Sequence, residues 1–306
     1  MQFLKEPNIN FVGSRKIAYF VSGSLILIGL ISLILHGGPK YSIDFLGGTA
    51  IQLRFEKPVQ VGQVRSAMAE LGLGNAEIKH FGASNEVLVR VLTNQGATQD
   101  ITRQIVTKLK EKLPDNPVEV RRIERVGPKI GSELRRSAIY AVFFSLGLLL
   151  IYISWRFEFK FAVGAVVALF HDVMITLGIF SILGQEISLA VVAAFLTLVG
   201  YSLNDTIVVY DRIRENLKIF RRETYEAIIN KSINQTLSRT VITSFTTFTV
   251  VLVLFLIGGE VIRGFTLALL IGVIVGTYSS IYVASPIVIE WQHWQEQRKS
   301  AQRRRR

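Results

Sequence analysis

The chain has 306 residues, of which half are hydrophobic and only 19% are charged, and its formal net charge is +12. Such a composition excludes global disorder, and the lack of cysteine excludes a disulfide framework, a thiolate zinc site and an iron–sulfur cluster. The apolar residues come in long blocks, which argues against a purely soluble chain.

Six of these blocks are long enough to cross a bilayer, because a helical span needs about 20 mainly apolar residues. The first, 17–35, is longer than a signal-peptide core and no small-residue cleavage site follows it. We therefore predict a retained anchor. The other five spans are predicted at 137–155, 161–183, 187–210, 240–257 and 265–289.

Lysine and arginine in the short segments predict the orientation. Basic residues are frequent in 1–16, in 211–239 and in the tail 290–306, whereas the loops 184–186 and 258–264 hold only Arg263. We predict cytoplasmic termini, an amphipathic cytoplasmic loop at 211–239 and an exported segment at 36–136. Anionic lipid at the membrane edges explains the positive charge, so membrane lipids are expected partners and nucleic acid is not.

The exported segment is predicted to form one small α+β domain. Its strands are expected at 44–55, 76–81, 86–92 and 117–126, and its helices at 61–71 and 98–113. The order β-α-β-β-α-β is that of the ferredoxin-like split unit. The glycine pair at 47–48 lacks the P-loop spacing, so we interpret it as a bulge or a close backbone approach. We find no nucleophile–base pair or metal-ligand spacing, so no enzyme activity, cofactor or metal is expected.

Span four carries Asp205 toward its cytoplasmic end, among apolar residues. Tyr201 precedes it by one helical turn, and Asn204 and Thr206 flank it. An ionisable residue inside a span is a functional candidate by default. Asp205 is therefore a candidate proton carrier, although the residues alone leave open that it only hydrogen-bonds a neighbouring helix.

Span five begins after Arg239, and Thr243 and Thr247 follow on the same helix face at steps of four. Arginine stays protonated and cannot shuttle protons, but it can influence a nearby carboxylate. The hydroxyls can order water in a proton path. The alternatives are that Arg239 anchors the helix at the headgroups and that the threonines join helices by hydrogen bonds.

Span three holds His171 and Asp172 at its middle. They are candidates for a proton relay, or each residue hydrogen-bonds a different neighbouring span. Adjacent residues point about 100° apart on a helix, so we do not expect them to pair with each other. Span six carries small residues at steps of four from Ala268 to Ser280, which predicts close helix packing.

Two long motifs resemble the SecD and SecF proteins. Residues 41–49, Tyr-Ser-Ile-Asp-Phe-Leu-Gly-Gly-Thr, match the D-F-x-G-G-T motif that opens the exported domain of that family. Its fixed positions are Asp44, Phe45, Gly47, Gly48 and Thr49, and Leu46 stands at the variable position. Residues 200–208 and 211–215 resemble the SecF fourth-span signature, and residues 238–240 and 171–172 also match the SecF pattern.

This resemblance implies half of a twelve-span, pseudo-symmetric assembly of the RND superfamily, whose other half is a separate SecD chain. It implies association with the SecYEG channel, often with YajC and YidC, and a functional link to SecA in the bacterial inner membrane. It also implies that the proton motive force assists late preprotein translocation, with Asp205 and Arg239 acting beside an aspartate of SecD.

Two other functions remain open from the sequence. One is half of an RND-type exporter of lipids or small molecules, although about 100 exported residues leave little room for a substrate pocket. The other is a scaffold that stabilises the translocon without transport. Proton and sodium coupling are also not distinguished, because a carboxylate can bind either cation.

Overall fold

The computed structural model describes residues 7–92 and 98–304. The first six residues and the last two arginines of the predicted basic tail lie outside the described residues. The elements follow in this order: α1 (Arg15–Leu35), α2 (Ile43–Leu46), β1 (Gly48–Phe55), α3 (Val61–Glu70), β2 (Glu77–Phe81), β3 (Ala83–Val91), α4 (Thr98–Lys112), β4 (Val118–Val126), α5 (Pro128–Arg156), α6 (Phe159–Ile182), α7 (Leu189–Ile219), α8 (Tyr225–Ile257), α9 (Glu260–Ser279) and α10 (Ser285–Arg304).

Within the described residues, six helical segments are long and apolar enough to cross a membrane. They are α1, α5, α6, α7, α8 and the continuous helix formed by α9, a π-helical turn at Ser280–Ala284 and α10. Six spans are therefore confirmed as helices. Most of the helices extend beyond the apolar blocks, because polar residues continue the helical hydrogen bonding at their ends. The placement of each end relative to the membrane stays a prediction.

Between α1 and α5 the chain forms the predicted α+β domain. Its four antiparallel strands are ordered β2-β3-β1-β4, the order of the ferredoxin-like fold. Alternate residues of β1, including Ile51 and Leu53, are fully buried in one core with Met68 of α3 and Leu109 of α4. The two helices thus cover one face of the sheet, and the fold predicted for this segment is confirmed.

Two local predictions in this domain were wrong. The strand expected at 44–55 starts only at Gly48, because residues 43–46 form the short helix α2. The Ser42 hydroxyl accepts a hydrogen bond from the Asp44 amide and so caps this helix. The strand expected at 86–92 begins earlier, at Ala83 directly after Gly82, and the pairing of β3 with β2 shifts there.

Residues 211–239, predicted as an amphipathic loop, are helical over most of their length. Helix α7 continues to Ile219 and α8 begins at Tyr225. Amide side chains hold the two helix ends together: Asn216 donates to Gln235 at 2.8 Å and to Ser232 at 2.9 Å. These amides and the Ser232 hydroxyl therefore face each other inside a helical hairpin, while the basic Lys218 and Arg221 are exposed.

Helices α7 and α9 approach each other closely at the small residues of α9. A Cβ atom added at Gly276 would lie 3.0 Å from the Ser202 Cβ, and one at Gly272 would collide with Leu198. The close packing predicted from this row of small residues is confirmed. Helices α1 and α6 meet in the same way at Gly29 and Gly178. The second contact brings the Ser32 hydroxyl of α1 to 2.8 Å from the Ser181 hydroxyl of α6.

Candidate functional site

Asp205 lies at a junction of three helices. Its side chain on α7 is buried, with 3% of the residue exposed. Its Oδ2 atom accepts a hydrogen bond from Ser244 of α8 at 3.2 Å, and the Ser244 oxygen accepts one from Thr277 of α9 at 2.7 Å. The carboxylate therefore ends a chain of hydroxyls that joins α7, α8 and α9. Sequence reasoning missed Ser244 and Thr277; their positions beside Thr243 and Gly276 were the available signal.

The structure does not pair Arg239 with Asp205. Arg239 is exposed, and none of the ion pairs among the described residues joins it to that carboxylate. The hydroxyls of Thr243 and Thr247 donate to backbone carbonyls one turn earlier, at 3.1 and 3.0 Å. The predicted roles of these three residues therefore stay predictions.

The other polar residues of the predicted fourth span differ in their surroundings. Thr206 is buried and donates to the Ser202 carbonyl at 3.2 Å. Asn204 is exposed on the outside of the bundle. Tyr201 is half-buried, and its hydroxyl finds no hydrogen-bond partner within the described residues. Only Thr206 is therefore satisfied by its own helix.

His171 and Asp172 do pair with each other, contrary to the prediction. The His171 Nδ1 atom lies 2.8 Å from the Asp172 Oδ1 atom, and both residues are buried. The 100° separation concerns the directions in which the side chains leave the helix, whereas their ends can turn toward each other. Asp172 also accepts from Ser202 of α7 at 2.6 Å and from Ser279 of α9 at 2.8 Å. His171 contacts Ser22 of α1 at 2.9 Å, so the expected contacts with different spans are present as well.

The D-F-x-G-G-T motif connects the exported domain to the start of α7. The Asp44 Oδ2 atom accepts a hydrogen bond from the Leu189 amide at 2.9 Å, at the first residue of that helix. The Ser42 amide donates to the Ile187 carbonyl at 3.0 Å, and the Ile187 amide donates to the Lys40 carbonyl at 2.7 Å. A carboxylate is favourable at a helix N-terminus. The motif thus holds the helix that carries Asp205.

The two glycines of the motif lie where a side chain does not fit. Gly47 has φ +77°, and an added Cβ atom would lie 2.7 Å from the Pro128 Cα at the start of α5. Gly48 has φ +134°, and its added Cβ would lie 2.6 Å from the Val91 carbonyl oxygen. The predicted close backbone approach is confirmed. Thr49 follows in β1, and its buried hydroxyl has no partner within the described residues.

A cluster of charges lies beside this connection. Glu186, in the loop between α6 and α7, contacts Arg90 of β3, Lys79 at 3.2 Å and Lys40 at 3.8 Å. Lys40 also contacts Glu77 at 2.8 Å. Burial raises the pKa of Glu77, but the hydrogen bond from Lys40 and the neighbouring positive charges outweigh it, so the pKa is lowered overall. Burial, and then the charge of Arg90, lower the pKa of Lys79.

A cavity of about 430 Å³ separates the open face of the sheet from the starts of α7 and α9. Its lining carries both signs of charge, with Arg122 and Arg263 near Glu124 and Glu260. The balance of charge gives no preference for one kind of ligand. No group of three or more potential metal ligands occurs in the part of the chain that the structure describes.

Six apolar helices, a ferredoxin-like domain between the first and second of them, and carboxylates at helix junctions define a multi-pass membrane protein of transporter type. Comparison with protein-family models gives a match to "Protein export membrane protein SecD/SecF, C-terminal" over residues 104–294 and to "SecD/SecF GG Motif" over residues 32–59. The chain is 51% identical to protein translocase subunit SecF of Magnetococcus marinus over 290 residues, covering 94% of this chain and 93% of the relative. The corresponding protein of Rhodothermus marinus is 46% identical over 296 residues, covering 95% of each chain. The chain belongs to the SecF family of protein translocase subunits.

The solved structures agree with this assignment. SecDF from Thermus thermophilus, a translocon-associated membrane protein, superposes with a TM-score of 0.83 at 43% identity, over 94% of this chain and 39% of that one. SecDF in its super-membrane-facing form gives a TM-score of 0.72 at 40% identity, over 99% of this chain and 41% of that one. The chain therefore corresponds to about two fifths of each SecDF chain. These matches favour SecF over the exporter alternative.

Proposed function

We propose that the chain works as the SecF subunit of a SecDF complex, in which proton movement through Asp205 assists the late translocation of preproteins. The observation that carries this proposal is the place of Asp205, a buried carboxylate that accepts a hydrogen bond from the Ser244 hydroxyl. A charge buried in a membrane span is costly unless it is compensated. Gain and loss of one proton at this site is therefore an energetically large event.

The contacts of Asp205 suggest how protonation changes the packing. The carboxylate accepts from Ser244, and Ser244 accepts from Thr277. A protonated acid is itself a donor, so the Ser244 hydroxyl no longer needs to donate to it. The direction of the hydroxyl chain can then reverse, which changes the interaction between α8 and α9. A two-state rearrangement of these helices is what the mechanism requires.

The exposed faces of α7 and α8 support the presence of a partner protein in the membrane. Asn204 and Arg239 are exposed in this chain, and so are the apolar Phe245 and Val250 of α8. Polar groups that face lipid are costly. A SecD half that covers this face would supply their partners and could bring Arg239 into contact with a carboxylate. The SecDF structures, which are longer than this chain, are consistent with such a second half.

Helix α7 provides the mechanical connection to the exported domain. Asp205 lies 16 residues after Leu189 in one unbroken helix, which is about 24 Å at ~1.5 Å per residue. Asp44 and the backbone contacts at Ile187 hold the other end of that helix. A shift of α7 caused by protonation would therefore move the domain, which in turn would bias an emerging preprotein outward.

The remaining parts of the proposal come from the family. Both termini would be cytoplasmic, and the α+β domain would lie outside the bacterial inner membrane. The complex would work at the SecYEG channel, with YajC and YidC as further partners and SecA acting from the other side. Membrane lipids would contact the basic cytoplasmic segments.

The test is export in cells depleted of native SecF, with the wild-type chain compared with Asp205→Asn. Glu215→Gln is the matched control, because Glu215 is a carboxylate on the same helix whose side chain is 61% exposed. We expect Asp205→Asn to assemble at wild-type levels but to fail in precursor release, while the control releases precursor normally. Normal release by Asp205→Asn would favour the scaffold function instead.

A further inference from the structure

We propose that the first turns of α5 bind an anionic phospholipid, in the leaflet on the side of the α+β domain. The site is a groove of about 470 Å³ whose lining includes Arg135, Arg136, Ile139 and Tyr140. This is the membrane side opposite to the basic segments that we predict to contact lipid. The inference rests on α5 being a membrane span and does not depend on the proposed role of Asp205.

The length of α5 places this groove at a membrane boundary. Arg136 precedes Arg156 by 20 residues in one unbroken helix, which is about 30 Å at ~1.5 Å per residue. The hydrocarbon core of a bilayer is also about 30 Å thick. When α5 spans the membrane, the two arginines therefore lie at its two edges, and Arg136 reaches the level of the headgroup phosphates. Tyr140, one turn farther in, lies where tyrosine and tryptophan are enriched in membrane proteins.

The helix surface next to the groove is open to lipid. Only 6% of the most apolar stretch of α5 is buried within the described structure, compared with 56% for α6. Ile139 and Tyr140 are each 47% exposed, and Phe143 and Phe144 are 70% and 68% exposed. This face therefore offers acyl chains an apolar surface directly beside the two guanidinium groups.

The groove has an excess of positive charge. Its lining contains two arginines, Arg135 and Arg136, and one acid, Glu133, which give a net charge of +1. None of the ion pairs among the described residues includes any of these three side chains. Arg135 lies 5.9 Å from the centre of the Tyr41 ring, and Arg136 Nε donates to the Tyr140 hydroxyl at 3.0 Å. Both guanidinium groups are therefore held beside aromatic rings without an anionic partner from this chain.

A phospholipid headgroup supplies the missing anion. Arginine suits phosphate because its planar group can donate two parallel hydrogen bonds to it. Basic residues next to a span are usually found on the cytoplasmic side, so orientation gives no reason for two adjacent arginines at this end of α5. A lining of net charge +1 complements a headgroup of charge −1. The occupant we infer is therefore phosphatidylglycerol, whereas phosphatidylethanolamine and phosphatidylcholine are neutral overall.

Photolabelling of the full chain in bilayers tests the proposal. Each of the three lipids is prepared with a photoreactive group in an acyl chain and added at the same small fraction to a phosphatidylcholine bilayer, and labelled peptides are identified by mass spectrometry. One net charge near the surface predicts about fivefold stronger labelling of residues 136–147 by phosphatidylglycerol than by phosphatidylcholine. Equal labelling of α5 by all three lipids, or strongest labelling by phosphatidylethanolamine, would overturn the proposal.

Variants assign the preference to the groove. Arg135→Gln combined with Arg136→Gln should lower the labelling of α5 by phosphatidylglycerol to the level of phosphatidylcholine. The matched control is Arg221→Gln combined with Arg222→Gln, because these are also adjacent exposed arginines but lie between α7 and α8; it should leave the labelling of α5 unchanged. Glu133→Gln raises the net charge of the lining and should increase the labelling by roughly another fivefold. A preference for phosphatidylglycerol that survives loss of both groove arginines would contradict the proposal.

Discussion

Replacing Gly47 by alanine should detach the exported domain from the membrane helices. Gly47 has φ +77° and ψ +164°, a region that is almost restricted to glycine, and occupying it with another residue costs about 1–3 kcal/mol. The added Cβ would lie 2.7 Å from the Pro128 Cα and 2.9 Å from its nitrogen. Because both are backbone atoms, relief requires a shift of α5, and overpacking of this kind costs roughly another 1–3 kcal/mol. The expected total is about 2–6 kcal/mol.

Gly72→Ala is the matched control, because Gly72 has φ +74° but an added Cβ would have no neighbour within 4 Å. Its cost is the backbone strain alone, about 1–2 kcal/mol. Hydrogen exchange of the full chain in lipid measures the difference. Gly47→Ala should increase exchange in α2 and in the first turns of α5, whereas Gly72→Ala should not. Equal, local effects of both substitutions would refute the assignment of Gly47 as a contact between the domain and α5.

Three further predictions concern single contacts. Asp44→Ala removes the acceptor and the charge at the Leu189 amide, so we expect faster hydrogen exchange at the start of α7. Asp44→Asn should retain part of the protection. Unchanged hydrogen exchange in both variants would contradict the proposed connection. Because the pKa of Glu77 is lowered, its ion pairs stabilise the fold above its ordinary pKa of about 4.5, and this stabilisation is lost as the pH falls through the lowered value. Glu77→Gln should therefore weaken the fall in unfolding temperature at acid pH. An unchanged fall would show that this cluster of charges is not responsible for it. The Asn234 side chain accepts a hydrogen bond from the Ile9 amide and donates one to the Ile9 carbonyl, both at 2.9 Å. Asn234→Ala should therefore speed proteolysis of the N-terminal segment. A cleavage rate equal to that of the wild type would contradict this prediction.

The helices and the exported domain could be predicted from the sequence because each rests on a local pattern. The apolar block at 17–35, for example, is set by the thickness of a bilayer, and the alternation of Ile51, Leu53 and Phe55 by the geometry of a strand. The start of β1 could not be predicted in this way. Residues 43–46 form the short helix α2 instead, and the Gly47 that follows it lies against Pro128, which is 81 residues away in the sequence.

The candidate site was predicted less completely, for a related reason. Asp205 is visible as a carboxylate in an apolar block, but its partners Ser244 and Thr277 depend on how three helices rotate against one another. Helical angles also suggested that His171 and Asp172 stay apart, although rotation about their side-chain bonds brings them to 2.8 Å. Sequence spacing therefore located the titratable residues, whereas packing decided their partners.

The most direct test of Asp205 as the proton-carrying group uses membrane vesicles in which precursor release is followed with and without a proton motive force. The wild-type chain should release precursor faster when the force is applied. Asp205→Asn should keep the slow rate seen without it and show no stimulation, while Glu215→Gln should respond like the wild type. Stimulation of Asp205→Asn to the wild-type rate would contradict the proposal that this carboxylate couples proton movement to export.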